Sequence, residues 1–374
     1  DEYAGLDAKG KAVVVFSGVP WDPAAGAWIR RAGEARTLGG IEYKARNAAA
    51  HGAAALLVVD NPAGWRKELR VAERLRVPDK GFAPDIAIPV LHVTRDFLAE
   101  LTRMSVDELR LLALEITQER TPSSMVLRGR TLRFKVSMTG RARIGRNVVG
   151  VLPGRDDALR REAVVLGAHY DHLGDLGDDI FFGANDNAAG VGALLEIARA
   201  FARLPEPPRR SVVFVAFDAE EIGKLGSKHY VARPAIPMAQ TALMINFDMI
   251  GRNEPNGINA VATRSSLELH EIHQAVNRHV GLALTHPAGY RLGRSDHTHF
   301  YYAGVPVMYL FGGIDPDYNT PRDTWDKLIP GKVEKVARLA FLTALEAANR
   351  EERLTFRSGH EPEQPARPPA PDRP

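Results

Sequence analysis

Four apolar runs constrain this chain most. They are REAVVLGAH (161–169), SVVFVAFD (211–218), TALMINFDM (241–249) and VPVMYLF (305–311). None alternates apolar with polar, so each reads as a strand covered on both faces. Between and after them stand stretches with helical spacing: 187–204, 224–232, 265–280, 297–304 and 333–350. Strand–helix alternation of this kind predicts an α/β fold with a mostly parallel central sheet and helices on both faces. In such a sheet, ligands collect outside the carboxyl ends of the strands.

Upstream stands a second, smaller α/β pattern. KAVVVF (11–16), AALLVVD (54–60) and Ile86–Val93 read as strands, with helical stretches at 39–52, 95–103 and 105–116. It holds no cluster of candidate catalytic groups, and His51 and His92 read as structural. From Met125 to about residue 153 the sequence alternates and predicts long antiparallel strands. We therefore expect a first domain over 1–122, a catalytic domain over 123–352 and a Pro-rich, disordered tail over 353–374. A length of 374 residues accommodates two domains.

Charge narrows the partners. Lys plus Arg number 49 against 46 Asp plus Glu, a net +3 that gives no argument for nucleic acid. The Arg-rich stretches 30–36 and 66–76 read as solvated helix faces. No apolar run approaches the ~18 residues of a membrane span. There are no cysteines, so any metal must sit on His, Asp and Glu. The chain opens within a domain, which leads us to expect a mature, secreted or periplasmic form. Oligomeric state is not legible.

The ends of the predicted strands carry the chemistry. His169 and Asp171 stand in GAHYDH, Asp186 in GANDN, Glu220 and Glu221 in FDAEE, and Asp248 in INFDMIG. Each alone would pass as a cap or a solvated turn. Together, on one rim, they offer what a pair of divalent ions ~3.5–4 Å apart needs. Asp186 fits a bridging carboxylate. His169 and Asp248 complete one ion, and Glu221 binds the second. Glu220 is left to take a proton from water. Asp171 is placed to accept the His169 ring N–H and fix its tautomer. No GxSxG elbow or reactive cysteine competes for the role of nucleophile.

HYD, the GxxDN of GANDN, AEE and FDMIG, in this order, resemble the M28 family of zinc aminopeptidases over about Val148–Arg350. SDHTHF (295–300) is similar to a stretch near the substrate pocket of that family. The upstream block, with GKAVVVF, KARNAAAHGAAALLVVD and IPVLHVT, resembles the protease-associated (PA) domain that many members carry. The resemblance implies two Zn²⁺ ions, a peptide or protein substrate and aminopeptidase chemistry. Such relatives have catalytic-domain residues before the PA insertion, so the N-terminal edge of the catalytic domain is expected to be incomplete.

One position departs from the family. Its Tyr-His-Thr-Pro-x-Asp-Thr stretch, whose His binds the second zinc, reads Tyr318-Asn319-Thr320-Pro321-Arg322-Asp323-Thr324 here. An amide oxygen suits Ca²⁺ or Mg²⁺ better than Zn²⁺. Asn319 is expected either to hold the second ion weakly or to lose it. The alternative reading is a catalytically impaired, peptide-binding relative, against which the intact Glu220 argues. His297 and His299 read as structural, not as replacements. A single-zinc acyl transferase of the glutaminyl cyclase kind fits the fold, but the retained HYD and Asp248 disfavour it. Tyr290, Arg291, Arg294 and Arg252 are weaker candidates for lining a substrate pocket.

Overall fold

The computed structural model describes residues 2–18, 21–22, 27–28, 40–61, 86, 88–119, 121–135, 144–175, 179–287 and 293–358. The Arg-rich stretches, Tyr290, Arg291 and the sequence after Ser358 lie outside the described residues. The chain divides into two compact units, Asp1–Gly140 and Arg141–Pro374. The division falls downstream of the expected 122–123 boundary.

In the first unit, β1 (Ala12–Phe16), β2 (Ala55–Val59) and β3 (Val90–Val93) form a parallel sheet in that order. Helix α1 (Ile41–Ala50) lays Ala45 and Ala48 against Leu56 and Val58 of the central strand. Helices α2 (Arg95–Thr102) and α3 (Val106–Glu119) contribute Leu98 and Leu109 to a cluster with Val59. Residues 55–59 are all buried, as expected of a central parallel strand. His51 stacks on Tyr3 with ring centroids 4.1 Å apart, consistent with a structural role.

The second unit is built on a seven-stranded sheet. Its strands are β4 (Val148–Leu152), β5 (Ala163–His169), β6 (Ser211–Phe217), β7 (Thr241–Asp248), β8 (Gly257–Val261), β9 (Ala283–Thr285) and β10 (Val307–Phe311). They lie in the order β9-β8-β10-β7-β5-β6-β4. The inner strands β10, β7, β5 and β6 are mutually parallel, and antiparallel pairings join β4 to β6 and β8 to β10.

Period-two alternation sorts the strand residues between two cores. Val164, Leu166 and Ala168 face one way, with Leu243, Ile245, Phe247 and Leu310. Helices α4 (Ala189–Ala202), α6 (Leu267–Asn277) and α8 (Pro330–Asn349) cover that face. Ala163 and Val165 face the other way, with Val213, Val215, Phe217 and Met244. Tyr230 of α5 (Leu225–Ala232) and Phe300 of α7 (His297–Tyr302) close that side. Helix α8 shows why it docks: Val336, Leu339, Ala340, Thr343, Ala344, Ala347 and Ala348 form a buried stripe at three- and four-residue spacing.

Three expectations need correction. Residues 121–135 contain no strand, and among the described residues only β4 forms within the segment predicted as long antiparallel strands. Met125, Val126 and Phe134 are exposed, and alternation specifies a strand only where one face is covered. Strands β8 and β9 arise in a region read as loop and helix. The packed chain also runs past 353: Leu354 is buried in the α4–α6–α8 core, and the Arg357 N–H donates to Ser265 O at 2.8 Å. Among the described residues, no helix is long and apolar enough to cross a membrane.

Candidate metal centre

The parallel register brings the predicted residues to one rim. His169 ends β5 opposite Phe217, the last residue of β6. Phe247 pairs with Ala168, so Asp248 stands level with His169 on the neighbouring strand. Glu220 and Glu221 follow three and four residues after the end of β6.

Asp186 lies on an irregular turn ahead of α4; its φ of −114° and ψ of 81° are not helical. The GANDN amides strap this turn to the sheet. Asn187 Nδ2 donates to Phe247 O at 2.8 Å, and its Oδ1 accepts from Met249 N at 3.3 Å. Asn185 Oδ1 accepts from Gly251 N at 2.7 Å, and its Nδ2 donates to Asp315 at 2.9 Å. Asp323 accepts the backbone N–H groups of Asn185 and Asp186 at 2.9 and 3.1 Å. A buried turn thus has its polar groups satisfied by side chains rather than by a helix.

Two ligand sets share Asp186. His169 Nε2 is 3.3 Å from Asp186 Oδ1 and 3.5 Å from Asp248 Oδ1. His172 Nδ1 is 2.9 Å from Glu221 Oε1 and 4.0 Å from Asp186 Oδ2. In each set, His169–Asp186–Asp248 and His172–Asp186–Glu221, the ligand atoms lie within 4.8 Å of one another. The two oxygens of one buried carboxylate therefore face two different imidazoles.

His172 was not among the sequence candidates. The available signal was a second His in GAHYDH, three positions after the first. Asn319, the expected ligand, lies on the loop that carries Asp323; its φ is 55° and its Oδ1 is buried without a hydrogen-bond partner. Its neighbours explain the loop's position better than its own side chain does. His297 is buried and stacks on Tyr309 at 4.3 Å, and neither it nor His299 enters a ligand set. Arg252 pairs with Asp317 at 3.1 Å, and Arg294 is exposed.

Asp171 behaves differently from its predicted role. The His169 Nδ1–H points to the Asp171 backbone carbonyl at 3.0 Å, while the nearer carboxylate oxygen is 3.7 Å away. The tautomer is still fixed with Nε2 facing the acidic set, but by backbone. The Asp171 carboxylate instead accepts the N–H of Glu220 at 2.9 Å and of Glu221 at 3.2 Å. It positions the loop that carries both glutamates. Ala219, just before them, has a φ of 58°, and Met249, just after Asp248, has 54°. Left-handed backbone at non-glycine residues beside a site is strain that the surrounding contacts must hold.

Electrostatics point the same way. Burial pushes Glu220 up to about 9, with Asp248, Asp296 and Glu221 adding repulsion. Burial raises Asp186 to about 6 and Asp296 to about 7. Burial opposes the charging of His169, but its contacts with Asp186 and Asp248 outweigh that and hold its pKa well above the ordinary value. So many buried carboxylates in one place are costly without compensating positive charge. Imidazole and carboxylate donors around a shared aspartate suit borderline divalent cations such as Zn²⁺.

The comparisons with known proteins agree with this geometry. The sequence profile for peptidase family M28 matches residues 147–344, and that for the PA domain matches residues 1–101. Aminopeptidase YwaD of Bacillus subtilis is 26% identical over 218 residues, covering 55% of this chain and 46% of that protein. Leupeptin-inactivating enzyme 1 of Streptomyces exfoliatus is 34% identical over 181 residues, covering 48% and 38%. The chain thus spans about half, or less, of the length of these relatives. The structure of BSAP, a zinc aminopeptidase from Bacillus subtilis, superposes with a TM-score of 0.59 at 21% identity, covering 92% of this chain and 72% of that one; at that identity it speaks to the fold. Motif order, fold and a profile match over more than half of the sequence converge: the chain belongs to peptidase family M28.

Proposed function

We propose that this protein is a zinc-dependent aminopeptidase acting on the N-terminal residues of peptides. One observation carries the reading: Asp186 presents one carboxylate oxygen to His169 and Asp248, and the other to the His172–Glu221 side. That is the arrangement a two-ion hydrolase requires. His169, Asp186 and Asp248 would hold one zinc, and His172, Asp186 and Glu221 the other. With His172 beside Glu221, the substitution at 319 no longer removes the imidazole from the second set. The impaired reading rested on that substitution.

When bound, zinc supplies Lewis acidity toward a carbonyl and lowers the pKa of water from about 15.7 toward 7. The rest is work for the chain's own residues. Glu220 belongs to neither ligand set and takes the proton from the attacking water. It then hands that proton to the leaving amine. Asp171, through the two N–H groups it accepts, keeps Glu220 and Glu221 at fixed positions. The PA domain upstream supports a peptide rather than a small-molecule substrate, by analogy with relatives that carry one.

The test is to strip the purified chain of metal, count zinc on reloading, and follow hydrolysis of an aminoacyl amide. The expected result is two zinc ions per chain, with activity lost on chelation and regained on reloading. Hydrolysis indifferent to chelation would overturn the proposal.

A further inference from the structure

A second group of imidazoles lies away from the acidic centre. His270 and His273 occupy positions i and i+3 on α6, so they share one face of that helix. His286 follows β9 immediately. One ring nitrogen from each lies within 4.8 Å of the other two. Strands β8 and β9 are parallel to each other, and β8 is antiparallel to β10. The carboxyl end of β9 therefore points to the opposite rim of the sheet from the ends of β5, β6 and β7. It is also three strands removed from β7, about 14 Å at ~4.8 Å per strand.

Ring geometry decides what the group suits. The three centroid separations are 5.0, 4.9 and 5.0 Å, and the ring planes are tilted by 60°, 69° and 63°. A metal–nitrogen bond of about 2.0–2.1 Å puts each ring centroid about 3.2 Å from the ion. Tetrahedral angles then separate the centroids by about 5.2 Å, close to the spacing found.

The outer contacts also fit. His273 is fully buried, and its Nδ1–H donates to Leu269 O at 3.0 Å, which leaves the Nε2 lone pair facing inward. That Nε2 accepts a hydrogen bond from His286 Nε2 at 2.7 Å, and the two nitrogens would part to about 3.3 Å, with loss of that hydrogen, to bind one ion at tetrahedral angles. His270 Nδ1 is 3.1 Å from Thr263 Oγ1. Backbone carbonyls and hydroxyls on the far nitrogen are the partners that orient metal-binding imidazoles. Burial pushes His273 and His286 down to about 4, and it lowers His270 as well, helped by the nearby Arg264. All three are then neutral near pH 7, the form that binds metal.

We propose that His270, His273 and His286 form a three-imidazole site for a borderline divalent cation of the Zn²⁺ class, separate from the acidic centre. His270 and His286 are only partly buried, so the fourth ligand position opens toward solvent. Bound metal would tie α6 to the edge strand β9.

The test uses the full chain, stripped of metal, reloaded with Zn²⁺ and desalted before zinc is counted. Wild type should retain one more zinc per chain than His286→Ala, whatever number the acidic centre holds. His270→Gln should show the same deficit, which guards against a folding defect in one variant. Aminoacyl-amide hydrolysis should be the same in all three proteins, so a failure of the peptidase proposal does not disturb this one. Zn²⁺ should also raise the Tm of wild type more than that of either variant. Equal zinc counts in wild type and both variants would overturn the site and leave a hydrogen-bonded histidine cluster.

Discussion

The two halves of the acidic centre are held by different kinds of backbone. His169 and Asp248 are the terminal residues of β5 and β7, adjacent parallel strands whose positions the sheet register fixes. His172 and Glu221 stand on loops beyond β5 and β6, placed by side-chain contacts such as Asp171 with the Glu220 and Glu221 amides. A ligand at a strand end has one place to be. A ligand on a loop can be supplied from more than one point in the sequence, so the second imidazole can come from 172 while 319 holds an amide. The sheet fixes half of the centre and loop chemistry fixes the rest.

Glu220 belongs to neither half and calibrates both. Glu220→Gln removes the proton acceptor and keeps the volume. We expect turnover to fall on the order of 10²–10⁴-fold, with zinc content unchanged. A drop in zinc instead would make Glu220 a ligand and dissolve the distinction between base and ligand sets.

The comparison itself is tested by His169→Ala against His172→Ala. Each should cost one zinc per chain, the first from the sheet-held half and the second from the loop-held half. The sharper experiment is the exchange His172→Asn with Asn319→His. If either loop position can supply the imidazole, the exchanged protein recovers the second zinc that His172→Asn alone has lost. Two zincs in His172→Ala would remove His172 from the centre and return the role to Asn319.

This division also accounts for what the sequence could and could not reveal. The runs ending in His169 and Asp248 are legible because a strand buried on both faces must be apolar throughout, and its last residue is then conspicuous. Asp186 and Glu221 were legible as motif members at the same rim. His172 was passed over because a second imidazole in a polar loop has no periodicity to mark it. Asp171 was given the wrong partner: sequence spacing cannot tell whether a side chain or its own carbonyl reaches the His169 ring. Strands β8 and β9 were missed for a related reason. They are short, and β8 opens on a glycine after a turn rich in Asn and Gly. Residues 125–135 misled in the opposite direction, carrying alternation while Met125, Val126 and Phe134 stay exposed.

Asp171 gives a smaller effect on the loop side alone. Its carboxylate accepts two amide N–H groups and touches His169 only at 3.7 Å. Asp171→Ala should slow turnover by about 10–100-fold through misplacement of Glu220 and Glu221. The zinc held by His169 and Asp248 should remain. Loss of that ion as readily as the other would mean the Asp171 carboxylate serves the strand-held half directly.

The smallest expected effect tests the loop from its far side. Asp317 anchors the 315–324 segment, whose Asp323 grips the Asp186 turn. The Lys327 ammonium at 2.8 Å, with Arg322 at 2.8 Å and Arg252 at 3.1 Å, holds its carboxyl well below the usual carboxylate range. A carboxyl with a depressed folded-state pKa contributes stability above its unfolded value, near 3.9, and loses it as pH falls below that toward the folded value. Wild type should therefore exceed Asp317→Asn in unfolding free energy by about 1 kcal/mol at pH 7, the scale of a partly exposed ion network. The gap should hold down to about pH 5 and then narrow as the solution is acidified. Denaturant unfolding of both proteins across this range reads it directly. A gap that widens on acidification would reverse the sign and show that the three cations do not hold Asp317 in its charged form.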